Sequence, residues 1–501
     1  MRFRRKPEHF HLWLAWLSLA AVLAAFAAIL AANAPRFDWD LPVSQMPAAT
    51  LALGMSAAGL VFLTVVPLVR ASLGLPATTR RSILVLILIV GCALRLSLFF
   101  TEPALEDDHN RYLWEGALVA NGLSPYAVSP ERARGAVPDS RLGTLVRESG
   151  PIVDRVNHPN LTSTYPPVAQ AAFALAHVIS PWNLSAWRAV SLVFDCAAGL
   201  LLIALLRQAG RSELWSALYW WNPIVIKELI NSAHMEGVLM ALVLAALLLL
   251  ARKRHLGAAL VLGLAIGTKI WPVLFVPLFL RPLRLRALPL LAAASALVLM
   301  CTLWLLPVYW AGFDAMSGFA AYARQWTTNS ALFPLLEAGG ARLLTLLGRP
   351  VEAAVLARMG IAVVLGAIAL HQAWRPLADA EDLMRRAGLI AAALVLLSPA
   401  QFPWYMIWML PFLAFRPLWG LLAVNVTVPL YYLSFHYMAR GAYPVFSQYI
   451  LWVMWVPVWA LLALDIHAAV RLTRGNGANR VRADVDIAGA PPPRPQGSPD
   501  R

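Results

Sequence analysis

The sequence predicts an all-α protein, a bundle of helices that crosses a membrane many times. Hydrophobic residues make up 60% of the 501 positions and charged residues only 13%. Largely apolar runs of crossing length recur from Leu12 to Leu464, and in lipid only helices or closed barrels satisfy every backbone group. A barrel would show alternating strands of ~10 residues instead. The arginines cluster in short loops, so the net charge of +15 reads as an orientation signal under the positive-inside rule, with no nucleic-acid partner implied. Cys92, Cys196 and Cys301 all lie in apolar runs, which implies no disulfide framework.

The charge rule orders the elements. Arg2, Arg4, Arg5 and Lys6 hold the N-terminus in the cytoplasm, and the run Leu12 to Ala32 is long for a signal peptide and reads as a retained anchor. Segments 11–32 and 48–69 form a hairpin closed by Arg70, Arg80 and Arg81, and segment 82–100 leads out. Residues 101–183 form a long outer loop. Its apolar run Val168 to Ile179 reads as an interfacial helix, because a crossing there would place Arg207 and Arg211 outside. Segment 184–206 returns. Segments 213–230 and 235–251 form a hairpin with its outer turn at 231–236, closed inside by Arg252, Lys253 and Arg254. Basic residues flank both ends of 256–280, which reads as two short helices with Thr268 and Lys269 at an outer turn; the alternative is one span with Lys269 buried in mid-bilayer. Segment 287–309 leads to a second outer loop, 310–350, with Tyr322, Arg324, Gln325 and Trp326, and 351–372 returns to Arg375. The pair 387–401 and 403–415 turns outside at Phe402 to Tyr405. A last pair, 417–435 and 447–467, leaves the C-terminus inside. The sum is about 14 crossings. From Thr473 a tail rich in Pro, Gly, Arg and Asp reads as disordered.

The densest group of ionisable residues follows segment 82–100: Glu106-Asp107-Asp108-His109-Asn110-Arg111-Tyr112-Leu113-Trp114-Glu115-Gly116. Carboxylates at a membrane surface are costly to desolvate and persist where chemistry needs them. A solvated acidic loop is the bland alternative; Arg111, Tyr112 and Trp114 beside the acids at a helix exit favour function. Next come Asn121-Gly122-Leu123-Ser124-Pro125-Tyr126, Asn157-His158-Pro159 and Thr164-Tyr165-Pro166-Pro167, with Gly267-Thr268-Lys269-Ile270-Trp271-Pro272 and Pro403-Trp404-Tyr405 farther on.

This order resembles the GT-C superfamily of membrane glycosyltransferases, and within it the bacterial polyprenol-phosphomannose-dependent mannosyltransferases; the first GPI mannosyltransferase is similar in the same order. The likeness runs from about Ile83 to Phe415. Asn110 stands where the family often has an aromatic residue, and His234-Met235-Glu236 where it often has an acid directly after Gly-His. The resemblance implies a GT-C-like catalytic membrane domain over 82–472, behind an N-terminal membrane hairpin over 1–81 and ahead of a cytoplasmic tail over 473–501. It implies an inverting transferase on the outer face of a bacterial inner membrane. A hexose, mannose favoured, would pass from a polyprenyl-phosphate donor to a hydroxyl of a lipid-linked glycan, glycolipid or polysaccharide.

A hydroxyl is a poor nucleophile at neutral pH, and a carboxylate in reach can take its proton as the new bond forms. The Gly-x-Ser-Pro-Tyr spacing matches Asp108 to the family's base, with Asp107 and Glu106 as the other candidates. Adjacent acids can also hold a divalent cation such as Mg²⁺ or Mn²⁺, here through Asp107 and Asp108. The phosphate leaving group needs cations and donors. Lys269, the lysine set deepest in an apolar stretch, is the first candidate, against a snorkelling lysine; Arg111 and Arg324 are alternates. Tyr112, His158, Tyr165, His234, Glu236, Trp404 and Tyr405 are candidates for lining the sugar or lipid groove; capping and interfacial-belt roles compete. A transporter or flippase of polyprenyl lipid or glycolipid is the competing class, and it would need charges paired inside the bundle. Arg95 and Asp195 are the pair to watch. A structural scaffold leaves residues 106–108 unexplained.

Overall fold

In the computed structural model the described residues are 7–312, 314, 317–348 and 352–488. Among them, seven helices are long and apolar enough to cross a membrane. Helix α1 (Pro7–Asn33) packs on α2 (Ala48–Phe62) and its continuation α3 (Val65–Ser72), and α4 (Ala77–Leu98) packs beside them. Then follow α5 (Asp108–Ala120), α6 (Pro167–Ile179), α7 (Leu184–Gln208), α8 (Glu236–Ala251), α9 (His255–Ile266) and α10 (Ala287–Ala311). The last set is α11 (Gly318–Gln325), α12 (Leu332–Leu346), α13 (Ala353–Trp374), α14 (Ala380–Leu397) and α15 (Leu451–Ala488). The described residues contain no strand, only isolated bridges from Thr328 and Asn329 to Ala400.

The seven spans coincide with expected segments 11–32, 48–69, 82–100, 184–206, 287–309, 351–372 and 447–467. The other expected crossings fall on shorter or broken helices. Segment 213–230 is split into Glu213–Ser216, Ala217–Trp220, Pro223–Ile226 and a π-turn at Lys227–Asn231. Segment 403–415 is two 3₁₀ stretches, Pro403–Trp408 and Leu410–Ala414. Pro223, Pro403 and Pro411 each remove a backbone donor and favour a helix start over continuation. Trp221, Asn222, Met406 and Leu410 are fully buried, so protein surrounds this irregular backbone, as a membrane requires. The expected break in 256–280 is present: α9 ends at Ile266, and helix resumes at Trp271–Phe275. Helix α15 runs on to Ala488, taking in residues 473–488 of the stretch expected as a tail; 489–501 lie outside the described residues.

Two glycines let the elements around the acids approach closely. A Cβ on Gly116 of α5 would stand 2.5 Å from the Phe173 carbonyl oxygen of α6. Only glycine allows those backbones so near. A Cβ on Gly267 would meet Val168 and Trp304 side-chain atoms at 2.6 Å, and the Val168 N–H donates to the Gly267 carbonyl at 2.8 Å. The turn that carries Lys269 is thereby tied to the start of α6. Between α5, α6 and α7, Tyr112 stacks on Phe173 at 4.5 Å and meets Trp187 edge-on at 5.4 Å; such ring pairs contribute about 0.5–1.5 kcal/mol beyond area burial.

Arg95 of α4 and Asp195 of α7 do meet. They form a fully buried ion pair. Arg95 also donates to the Gly91 and Trp220 carbonyls and lies 3.6 Å from the Trp220 ring centroid, while the Tyr219 hydroxyl donates to Asp195 at 2.8 Å. Each charge is enclosed by donors, acceptors and rings, which suits a helix clamp.

Candidate active site

Residues from the 101–183 stretch, the Gly267–Ile270 break and the 403–408 stretch surround a cavity of about 640 Å³. Glu106, Asp107 and Asp108 line it together with Arg111, His158, Tyr165, Lys269, Trp404 and Tyr405. Asn231, fully buried, presents the acids. Its side chain accepts from the Ala104 N–H at 3.0 Å and donates to Thr101 Oγ1 at 3.0 Å and the Glu102 carbonyl at 2.7 Å. The link then turns at Leu105, φ 63°. Ala233 and His158 are also left-handed, at φ 60° and 45°. Non-glycine residues of this kind are costly and gather where a site demands a fixed shape.

Asp107 and Asp108 open α5 and share one donor group. The Asn157 amide donates to Asp107 Oδ1 at 2.8 Å and to Asp108 Oδ1 at 2.9 Å. The other Asp108 oxygen takes long hydrogen bonds from Tyr165 at 3.3 Å and Tyr112 at 3.4 Å. Burial, reinforced by the Asp108 charge, pushes Asp107 up to about 6. Burial also raises Glu106 well above the usual carboxylate range, against the pull of Lys227. Asp108 has the more open side chain, 18% exposed against 6% for Glu106.

Arg111 is structural as well as cavity-lining. It pairs with Glu115 at 3.1 Å and donates to the Asn157 and His158 carbonyls at 2.6 and 3.0 Å, which holds the Asn157 loop over the acids. His158 rests against Trp326 at 4.5 Å; burial and the Arg111 charge lower its pKa.

Tyr112, His234 and Glu236 stand one layer back from the cavity lining. The His234 ring is fully buried and stacks on Trp404 at 3.9 Å. Glu236, also fully buried, binds Lys269 Nζ at 2.6 Å. Lys269 further sits 4.6 Å from the Tyr405 ring and 4.9 Å from Trp408. A carboxylate below and aromatic faces beside it aim one ammonium into the cavity.

Two sequence readings change. Arg324 is exposed on α11 and lies outside the cavity lining; one helical turn places Tyr322, not Arg324, inward, where its hydroxyl meets Tyr405 at 2.8 Å. Lys269 is also not the most deeply set lysine. Lys227 is 1% exposed against 18% for Lys269. It lies on the buried π-turn, contacting Glu228 at 3.4 Å and donating to the Tyr432 hydroxyl, which in turn donates to Glu228 at 2.7 Å. Asn157, Asn231, Lys227, Glu228 and Tyr432 are therefore site residues that sequence reasoning left without a role. For Asn157 the signal was present in Asn157-His158-Pro159.

Residues 15–286, just over half of the chain, match the family model described as alpha-(1->6)-mannopyranosyltransferase, N-terminal domain. The chain belongs to this family. Among curated relatives, the alpha-(1->6)-mannopyranosyltransferase A of Mycobacterium tuberculosis is 26% identical over 340 residues, which is 62% of this chain and 61% of that protein. The alpha-(1->6)-mannopyranosyltransferase B of Corynebacterium glutamicum is 31% identical over 155 residues, 30% of this chain and 24% of that protein. GPI mannosyltransferase 1 of Gibberella zeae is 34% identical over 87 residues, 17% of this chain and 20% of that protein. The chain thus spans between 20% and 61% of these relatives' lengths. No solved structure matches. Membership bears out the likeness to GT-C mannosyltransferases drawn from the motifs. The alpha-(1->6)-mannopyranosyltransferase match takes in the acids, Asn157, Glu228, His234, Glu236 and Lys269, whereas Trp404, Tyr405 and Tyr432 lie beyond it.

Proposed function

We propose that this chain is an inverting mannosyltransferase that takes the sugar from a polyprenyl-phosphate donor and delivers it to a hydroxyl of a glycan or glycolipid. The observation that carries the reading is one cavity faced by an open carboxylate, Asp108, and an ammonium, Lys269, between aromatic walls. Aromatic faces suit a sugar ring. The Lys269 charge suits the departing phosphate.

In the proposed step the acceptor oxygen attacks the anomeric carbon. The bond from that carbon to the phosphate oxygen breaks, its electron pair stays with the phosphate, and the hydroxyl proton passes to Asp108. One base and one displacement account for inversion, and the alpha linkage in the relatives' names fits a donor of opposite configuration. Asp108 suits the base better than its neighbours, because burial favours the proton-bound form of both Asp107 and Glu106. The charge rule supports an outer-face site and cytoplasmic termini, and the bacterial relatives support an inner-membrane location. The test is transfer from labelled polyprenyl-phosphomannose to a membrane-extract acceptor by purified protein in lipid. Asp108→Asn is expected to lower kcat about 10²- to 10⁴-fold with folding intact. Transfer that survives in the variant removes Asp108 as the base. Silence of the wild type with every polyprenyl-phosphate sugar overturns the proposal.

A further inference from the structure

A second constellation lies behind the acids. Glu106, Glu228 and His234 each offer one ligand atom, and these atoms lie within 4.8 Å of one another. Glu106 comes from the link before α5, whereas Glu228 and His234 are near neighbours on the buried π-turn and the turn into α8, joined by the His234 N–H donating to the Glu228 carbonyl at 2.9 Å. Both His234 ring nitrogens are buried without a hydrogen-bond partner among the described residues, as is Glu106 Oε1. His234 Nε2 stands 3.6 Å from Glu228 Oε2 and 3.9 Å from Glu106 Oε2, while its Nδ1 is 3.7 Å from Asp108 Oδ2. These separations exceed a hydrogen bond. They suit ligands about 2.1 Å from a shared ion, which lie roughly 3–4.2 Å from each other.

Charge points the same way. Glu106, Asp107, Asp108, Glu228 and Glu236 face two ammonium groups, Lys227 and Lys269, and Lys269 is taken up by Glu236. Arg111 is engaged by Glu115. Lys227 and Tyr432 hold Glu228 Oε1, turning Oε2 toward His234, although Lys227 also reaches Oε2 at 3.5 Å. Buried carboxylates in excess are neutralised either by protons or by a cation, and the unpartnered His234 nitrogens favour the cation here.

We propose that Glu106, Glu228 and His234 form a binding site for one divalent metal ion beside Asp108. One imidazole with carboxylates is a mixed nitrogen–oxygen set, suited to Mn²⁺ or Zn²⁺ above Mg²⁺ or Ca²⁺. Asp107 and Asp108, the pair expected to hold metal from the sequence, each give one oxygen to the Asn157 amide. The site adjoins the proposed transfer site, and its test does not depend on that activity.

Full-length protein in lipid nanodiscs, free of any polyhistidine tag, would be stripped with chelator and titrated with Mn²⁺ alone. The expected result is one Mn²⁺ per chain, with nitrogen coupling from an imidazole in the pulsed electron-spin signal, and displacement by Zn²⁺. His234→Ala should abolish the nitrogen coupling, and Glu228→Gln should weaken binding at least tenfold. The wild-type coupling needs no variant, so a misfolded variant does not remove the test. Absence of stoichiometric Mn²⁺, a signal without nitrogen coupling, or binding unchanged in His234→Ala and Glu228→Gln would each overturn the site. Transfer that persists after chelation while Asp108→Asn is inactive would leave the transferase reading standing and restrict the metal to a structural role, provided Mn²⁺ binds as stated.

Discussion

Asn157 holds Asp108 from across the loop: its side-chain amide donates to Oδ1 at 2.9 Å, and the same group donates to Asp107 at 2.8 Å. The pair orients a carboxylate whose other oxygen takes only long hydrogen bonds, from Tyr165 and Tyr112. A hydrogen bond to a charged group contributes about 1.5–3 kcal/mol, which corresponds to roughly 10- to 100-fold in rate. Asn157→Ala is therefore expected to lower kcat by that factor, with donor KM changing much less. A change confined to KM would show that Asn157 binds donor and does not orient the base.

Lys269 and Glu236 should behave as a unit in folding and as separate groups in function. Lys269→Met leaves Glu236 fully buried and unpaired, a loss of about 3–5 kcal/mol readable as a fall in thermal midpoint. Lys269→Met with Glu236→Gln should recover most of that midpoint, yet keep a raised donor KM, because the ammonium is gone. Recovery of donor affinity in the double variant would argue against phosphate binding by Lys269.

The Arg95–Asp195 pair gives the opposite pattern. Arg95→Ala strands Asp195 and should destabilise by about 3–5 kcal/mol, whereas Arg95→Met with Asp195→Leu should be close to neutral. Transfer per folded molecule should be unchanged in the double variant. Loss of transfer there, with folding intact, would return the pair to a functional role of the kind a transporter uses.

Asp107 predicts a pH dependence of stability. Its carboxyl titrates at about 6 in the fold against an ordinary 3.8, so the folded state binds the proton more tightly than the unfolded chain. Its contribution to stability is complete below about pH 4 and is lost as pH rises through 6. Asp107→Asn, which still accepts from Asn157, should leave the midpoint unchanged at pH 4 and raise it above pH 6. An equal effect at both pH values would show that the carboxyl is not held protonated.

Much of the site was legible because its residues break local pattern. Glu106 to Asp108 form a charge run after an apolar segment, and Lys269 is a lone charge inside one. Trp404 and Tyr405 follow a proline at a predicted turn. Lys227 and Glu228 gave no such signal: adjacent opposite charges in an apolar run look like the end of a crossing, and their partner Tyr432 lies about 200 residues away. Arg324 misled because its neighbours Tyr322 and Trp326 are inward-facing and it is not. The long spans were readable from hydropathy. The buried, proline-broken stretches were not, since burial in protein and burial in lipid use the same apolar residues.

The cavity wall is discontinuous along the chain. The acids and Lys269 precede residue 286, and Trp404, Tyr405 and Tyr431 follow it. Between these portions, Arg284, Leu285 and Arg286 are exposed, the kind of place where a cut is tolerated. A gene divided there would yield two fragments, one carrying the ionisable chemistry and the other an aromatic wall. Each fragment would be blank by itself, and sugar transfer would return only by complementation when both are made in the same membrane.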